Sequence, residues 1–373
     1  MRSDASEAAY DWFRDVLGSP RFICAPMVRQ SELAFRLLVR SLGCDLAYTP
    51  MILAKDVVER YAQTGYDRVA TRAAFFATGD RPLIAQIAGN DPKVMAEAAR
   101  LLAPDVDAVD VNFGCPQQCA RLGHYGAFLL DHPDTMVDIV RAIRSAISVP
   151  VTCKIRLLNP VSLAIDLAKR LEDAGCSMLA VHGRLRDQRH HCGPVNYEGI
   201  AAIKAALRIP VVANGGIRSR DHALQVMEAT GCDAVMSATT LLRQPAMFAG
   251  DPVSVFDCLW RYARLARTHP PIADVSARDH VLTVFRERFH AEGHLDLVGI
   301  LSNKAIRTAN QIGAVLAIIA HRFQEPIDEG FPGSAGEPLP SFNDICNNRR
   351  LGNESSRSSS DDDENDAGYN VFD

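Results

Sequence analysis

Residues 110–126 read DVNFGCPQQCARLGHYG, and the group in that stretch that invites chemistry is the thiol of Cys115. An apolar run closes at Gly114, and Cys115 then stands between that glycine and Pro116, which fixes its place just past a strand end. A thiol so placed has two chemistries open to it. As a nucleophile it needs a base to make the thiolate. As a neutral group it can hand a proton to a reacting atom. The bland alternative is a small buried hydrophobe, and that reading is accepted for the other nine of the 10 cysteines.

Three further stretches carry polar groups inside apolar sequence. Lys154 in TCKIRL is flanked by strand residues, so its ammonium must pair or meet an anion. His182 in AVHGR is either a satisfied core histidine or a hydrogen-bonding site residue. Asn214, Gly215 and Gly216 in ANGGI make either a turn or a place where backbone N–H groups approach a phosphate closely.

These residues need a frame that brings them together. Eight β-rich apolar runs recur, at 21–27, 45–51, 83–89, 108–114, 149–156, 177–184, 209–216 and 232–238. Amphipathic helical stretches lie between them, such as KVMAEAARLLA and SLAIDLAKRLEDAG, several closing on glycine. Continuous apolar strands alternating with helices imply a parallel sheet covered by helices. Eight such units predict an α/β fold, a closed (β/α)₈ TIM barrel over 21–250. A doubly wound open sheet is second, since no GxGxxG follows the first strand.

Barrel active sites lie at the C-terminal strand ends. Those ends present Pro26, Met27 and Val28, then Gln86, then Asn112 with Cys115. They go on to Lys154 and Arg156, His182, Asn214 to Gly216, and Ala238 with Thr239. Together they describe a pocket for a phosphorylated, hydrogen-bonding cofactor. The amide of Gln86 and the cation of Lys154 suit the edge of a flavin ring.

Residues 1–20 read as an N-terminal extension, 251–325 as a helical domain of two to four helices, and 326–373 as a linker and acidic tail. The last 21 residues hold seven acids and one arginine, so the overall charge of −5 hides a body at +1. A Ser/Asp-rich end of this kind is expected to be disordered. No apolar leader opens the sequence and no run of about 18 apolar residues occurs, so an intracellular, cytoplasmic or nuclear protein without a membrane span is expected. Cys115 and Cys119 form CxxxC, which His124 does not complete to a zinc pattern, so no metal is expected.

APMV, QIAG, DVNFGCPQQCARLGHYGAFLL, CKIR, VHGR, ANGGI and MSA…QPAMF, in that order between about residues 24 and 248, resemble the tRNA-dihydrouridine synthases. NxGCP followed by GHYGAFL is the most specific part, and it resembles the eukaryotic type acting on D-loop positions 16 and 17. The resemblance implies an FMN-bearing barrel, a C-terminal helical tRNA-binding domain and NADPH as electron donor. It puts Pro26, Met27, Val28, Gln86, Lys154, His182, Asn214, Gly215, Gly216, Ala238 and Thr239 on FMN positions. Cys115 falls on the catalytic acid, and Asn112 and Arg156 on residues facing the substrate. The implied reaction passes hydride to C6 of a flipped-out uracil while Cys115 protonates C5. A monomer is expected.

Two departures stand out. Thr239 occupies a position where relatives of this type more often carry an acid, and the loop 185–197, LRDQRHHCGPVNY, lacks the family's Lys/Gly-rich lead-in. In the helical region Arg261, Arg264 and Arg267 recur every third residue, either as a track for an RNA backbone or as a solvated face. Two other readings stay open: an FMN barrel acting on a free small molecule, such as dihydroorotate or a 2-hydroxy acid, and an RNA-binding barrel without turnover.

Overall fold

The computed structural model describes residues 4–64, 76–188, 193–271, 276–303, 305–334 and 338–346. Nine parallel strands are present among them: β1 Phe22–Cys24, β2 Leu46–Tyr48, β3 Ile52–Leu53, β4 Leu83–Ala88, β5 Ala108–Phe113, β6 Val151–Arg156, β7 Cys176–His182, β8 Val211–Asn214 and β9 Ala234–Ser237. Eight of them close a ring, because β1 pairs with both β2 and β9 and β2 pairs with β4. This is the predicted TIM barrel. The ninth strand, β3, adds two residues to the edge of β4 opposite Ile87 and Ala88, too short to show as an apolar run.

Strands β4 and β5 are buried at every residue, which explains their mostly apolar look, broken only by Gln86, Asp110 and Asn112. The helices carry their own start and stop signals. Asp91 caps Pro92–Leu102 by accepting from the N–H groups of Lys93 and Val94, and proline sits at the first turn. Ser219 caps Arg220–Thr230, which ends at Gly231 with φ of 67°. Helix Asp4–Asp15 covers the N-terminal end of the barrel, where the Trp12 indole donates to the Asp107 carbonyl at 3.3 Å.

A buried ion cluster braces the first β/α unit. Asp80 and Arg36 have fully buried side chains with Nη2 to Oδ2 at 2.7 Å, and Arg40 Nε reaches the other Asp80 oxygen at 2.9 Å. Removing the carboxylate strands a buried guanidinium, and such losses cost about 3–5 kcal/mol. Asp80→Ala should therefore lose that much stability in urea unfolding, and a loss below about 1 kcal/mol would refute the assignment.

Beyond the barrel come five helices among the described residues, Val255–Thr268, Ser276–Ala291, Leu295–Leu301, Ala309–Arg322 and the short Phe342–Cys346. A capping box of Thr308 and Gln311 starts Ala309–Arg322 and separates it from Leu295–Leu301. Glu32, just after the β1 loop, ties this region to the barrel. Its carboxylate accepts from the Tyr262 hydroxyl at 2.8 Å and meets His280 Nε2 at 3.1 Å.

Part of the stretch read as a linker is packed instead. Phe331 is buried against Trp260 with ring centroids 4.9 Å apart, and Gln311 Nε2 donates to the Ile345 carbonyl at 2.8 Å. Single apolar anchors in a Pro/Gly-rich run leave no periodicity to read. The acidic tail lies outside the described residues.

Candidate active site

The strand ends open into a pocket at the C-terminal mouth of the barrel. One wall is the β1 loop, with Pro26, Met27 and Val28. Ser31 shapes that loop, its hydroxyl accepting from the Met27 N–H at 2.9 Å. Gln86, Asn112 and Cys115 form a second wall, Lys154 and Arg156 a third. Asn214, Ala238 and Thr239 close the far side. His182, Gly215 and Gly216 stand beside the pocket on the β7–β8 rim. The sheet register sets Arg156, His182 and Asn214 level with one another.

Cys115 is clamped by its own backbone. Its N–H donates to Asn112 Oδ1 at 2.9 Å, and its carbonyl accepts from the Ala127 N–H at 2.9 Å. Gly126, at φ of 64°, lets this approach happen, since a Cβ there would lie 2.8 Å from the Cys115 carbonyl oxygen. Contact with the Cys119 thiol, followed by burial, pushes the Cys115 thiol far up from its ordinary value, against a weaker opposite pull from Arg156. The group stays a neutral thiol at physiological pH. Of the two chemistries that the sequence leaves open, proton donation is the one this environment supports.

Lys154 is half-buried in the wall. Burial first, then the neighbouring Arg156 cation, lowers it to about 8, so it is mostly an ammonium at neutral pH. Arg156 itself is 2% exposed. Its Nε donates to the Gly114 carbonyl at 2.8 Å, and Nη1 donates to the carbonyls of Leu185 at 3.0 Å and Gln188 at 3.2 Å. These bonds join the Cys115 loop to the 185–188 loop, a positioning task that the sequence did not reveal. Residues 189–192 of that loop lie outside the described set.

The glycine corner after β8 also has a built form. Gly215 and Gly216 have φ of 105° and 69°, and Cβ atoms there would press within 3.0 Å of the His182 ring and 2.8 Å of Val195. Thr240 Oγ1 donates to the Ile217 carbonyl at 2.7 Å, tying the turn after β8 to the short helix Thr239–Arg243 that follows β9.

Sequence reasoning missed Gln30 and Met51 in the pocket wall. Gln30 is 1% exposed, and neither atom of its carboxamide has a partner among the described residues. It lies in a loop without periodicity, where only its polarity beside APMV could have marked it.

The arginine track changes character in three dimensions. Arg264 pairs with Asp328, while Arg267 donates to the Gly330 carbonyl at 3.2 Å and lies 4.0 Å over the Phe331 ring. Two of the three arginines thus pin the 328–331 segment rather than form a free row. Among the described residues no group of three or more His, Cys, Asp or Glu side chains could hold a metal, and no helix is long and apolar enough to cross a membrane.

Fold and mouth together define the class: a (β/α)₈-barrel enzyme with a protonated thiol and a buried cation over a pocket at its strand ends. The sequence model of the Dihydrouridine synthase (Dus) family matches residues 23–275, and the chain belongs to that family, an oxidoreductase family. It is 43% identical over 249 residues to a human protein named tRNA-dihydrouridine(20a/20b) synthase [NAD(P)+]-like, covering 65% of this chain and 75% of the relative. A mouse tRNA-dihydrouridine(16/17) synthase [NAD(P)(+)]-like protein is 36% identical over 340 residues, covering 90% of this chain and 70% of the relative. The Saccharomyces cerevisiae tRNA-dihydrouridine(16/17) synthase [NAD(P)(+)] is 40% identical over 239 residues, covering 63% of this chain and 55% of that protein.

Proposed function

We propose that this enzyme reduces uridine to 5,6-dihydrouridine in the D-loop of tRNA, with FMN at the strand ends and NADPH as electron donor. The observation that carries the reading is Cys115, held as a neutral thiol in one pocket with Lys154 and Asn112. The pocket suits FMN on its own features. A buried carboxamide without a partner among the described residues, that of Gln30, waits in its wall, and the two left-handed glycines turn the backbone beside the β8 end, where N–H groups would meet a phosphate.

When bound, FMN would supply hydride transfer from NADPH to C6 of the uracil. The chain does the rest. Cys115 Sγ holds the proton that C5 receives. Lys154 offers a cation to the flavin edge. Gln86 and Asn112 present amides. Asn112 spends Oδ1 on the Gly114 and Cys115 N–H groups and one N–H on Gln86, while its Nδ2 also lies 3.3 Å from the Met51 sulfur. A pyrimidine carbonyl would displace that weak acceptor readily. Pro26, Met27, Val28, Ala238 and Thr239 would shape the flavin's seat, with His182 and Asn214 to Gly216 at its phosphate side. Arg156 would keep the Cys115 loop against the substrate.

For the target we favour positions 16 and 17. The relatives' names divide between 16/17 and 20a/20b; the mouse 16/17 match extends over 90% of this chain and so takes in the helical region, while the human 20a/20b match covers 65% and the Saccharomyces cerevisiae 16/17 match 63%. We place the tRNA contacts on that helical region and on the pocket rim, in a monomer working in the cytoplasm or nucleus.

The test uses purified protein with unmodified tRNA and NADPH. Flavin absorption bands and dihydrouridine at 16 or 17 are expected. Product at 20a or 20b would overturn the positional assignment. NADPH consumption without tRNA product would favour a small-molecule reductase, and protein without flavin would refute the FMN reading.

A further inference from the structure

We infer that Asp110, in the barrel interior below the pocket, is a positioning residue: its carboxylate fixes the direction of a chain of amide hydrogen bonds that ends on the backbone of Cys115. Asp110 is fully buried on β5, two residues before Asn112, so both side chains project to the same side of the strand. The strand register sets Gln86, Asp110 and Thr152 level across β4, β5 and β6, with Asn112 and Lys154 level one step nearer the mouth.

The bonds run in one sense. Thr152 Oγ1 donates to Asp110 Oδ1 at 2.6 Å, and Gln86 Nε2 donates to Asp110 Oδ2 at 2.8 Å. Gln86 Oε1 then accepts from Asn112 Nδ2 at 2.8 Å. Asn112 Oδ1 in turn accepts the N–H groups of Gly114 at 3.0 Å and Cys115 at 2.9 Å.

An amide can turn over and exchange donor for acceptor; an ionised carboxylate only accepts. Asp110 therefore compels Gln86 to turn its NH₂ inward, which points Oε1 at Asn112 and leaves Asn112 Oδ1 for the cysteine loop. The backbone N–H groups set the same sense from the other end. The chain has no member free to flip, so thiol, amides and the flavin-facing wall keep one geometry. The carboxylate also lies near Lys154 and opposes the loss of that lysine's charge.

This rests on the proposed reaction, and the test separates the two. In the full-length flavoprotein, Asp110→Asn, Thr152→Val and the double variant are compared. Asp110→Asn alone keeps the sense, because the Thr152 hydroxyl can accept from the new NH₂ while the asparagine oxygen faces Gln86. Thr152→Val alone keeps it as well, because the carboxylate remains. Each single change should leave turnover within about threefold of the parent. The double variant loses both devices at the Asp110 end at nearly constant volume and leaves only the backbone N–H groups to hold the chain. At saturating FMN and pH 7, turnover per bound flavin should therefore fall about 10- to 100-fold with KM for tRNA unchanged. Asp110→Leu should show the same split.

Independent small effects in the double variant would overturn the inference. So would a loss that follows flavin content or melting temperature, since that marks a merely structural acid. If Asp110→Leu fails to fold, the cycle still decides. If the parent makes no dihydrouridine, the proposed reaction is wrong, and the cycle is then read from the alkylation rate of Cys115 by iodoacetamide. Non-additive slowing or acceleration in the double variant supports the positioning role there, and additive rates refute it.

Discussion

Cys115→Ala is expected to retain FMN and NADPH oxidation while dihydrouridine formation falls by about 10²–10⁴-fold, the usual worth of a positioned proton donor. The size of the effect follows from the protonation state. A thiol pushed up by its Cys119 neighbour and by burial carries its proton at every pH where the protein is used, so it serves as an acid without preparation. A nucleophilic role would need a thiolate, and the surroundings oppose one. Flavin reduction involves no atom of Cys115, which is why the two half-reactions should separate in this variant. Single-turnover measurement with pre-reduced enzyme and tRNA checks the claim. Unchanged product yield would remove Cys115 from the catalytic role.

The second large effect is expected at Lys154. Its ammonium lines the pocket that we assign to FMN, and hydrogen bonds to charged groups are worth about 1.5–3 kcal/mol, so Lys154→Ala should weaken flavin binding roughly 10- to 100-fold. The lysine should also leave a signature in pH. Burial and Arg156 push it down to about 8, and Asp110 and Cys115 act the other way without cancelling that. Below that value the amine is charged, and above it the charge is lost. Flavin affinity should therefore fall as pH rises through 8. Lys154→Arg keeps the charge over that range, so the alkaline fall should vanish even though the broader guanidinium fits less well. Flavin titrations across the range check both statements. A variant lacking the lysine that stays flavin-replete, or a flat profile in the parent, would sink the assignment.

Much of this protein was legible in its sequence because the signals were local. AVDVNF and LIAQIA are strands buried at every residue, so they read as mostly apolar runs. Their few polar members, Gln86, Asp110 and Asn112, are hydrogen-bonded to one another or to Thr152. Alternation with capped helices then leaves few architectures, and the barrel follows. Barrel topology in turn places strand-end residues in one mouth, so Cys115, Lys154, Gln86 and Asn112 could be gathered from positions scattered over the chain.

What escaped the sequence depends on contacts between distant residues. The two residues of β3 carry too little pattern to separate them from a loop. Phe331 and Ile345 fold a Pro/Gly-rich stretch onto the helices as isolated anchors, and they draw on Arg264 and Arg267, which sequence alone offered as an RNA track.

The sequence by itself determined the barrel, the face on which chemistry occurs and the residue types that stand there, because strand periodicity and strand order follow from local burial. Only the tertiary structure decided their states: that Cys115 is a protonated thiol beside Cys119, that Arg156 spends Nε and Nη1 on two loops, and that Asp110 faces Gln86 and Thr152. Protonation and hydrogen-bond direction are set by which groups lie within about 3 Å of one another. That proximity is created by folding across strands and leaves no mark in residue spacing.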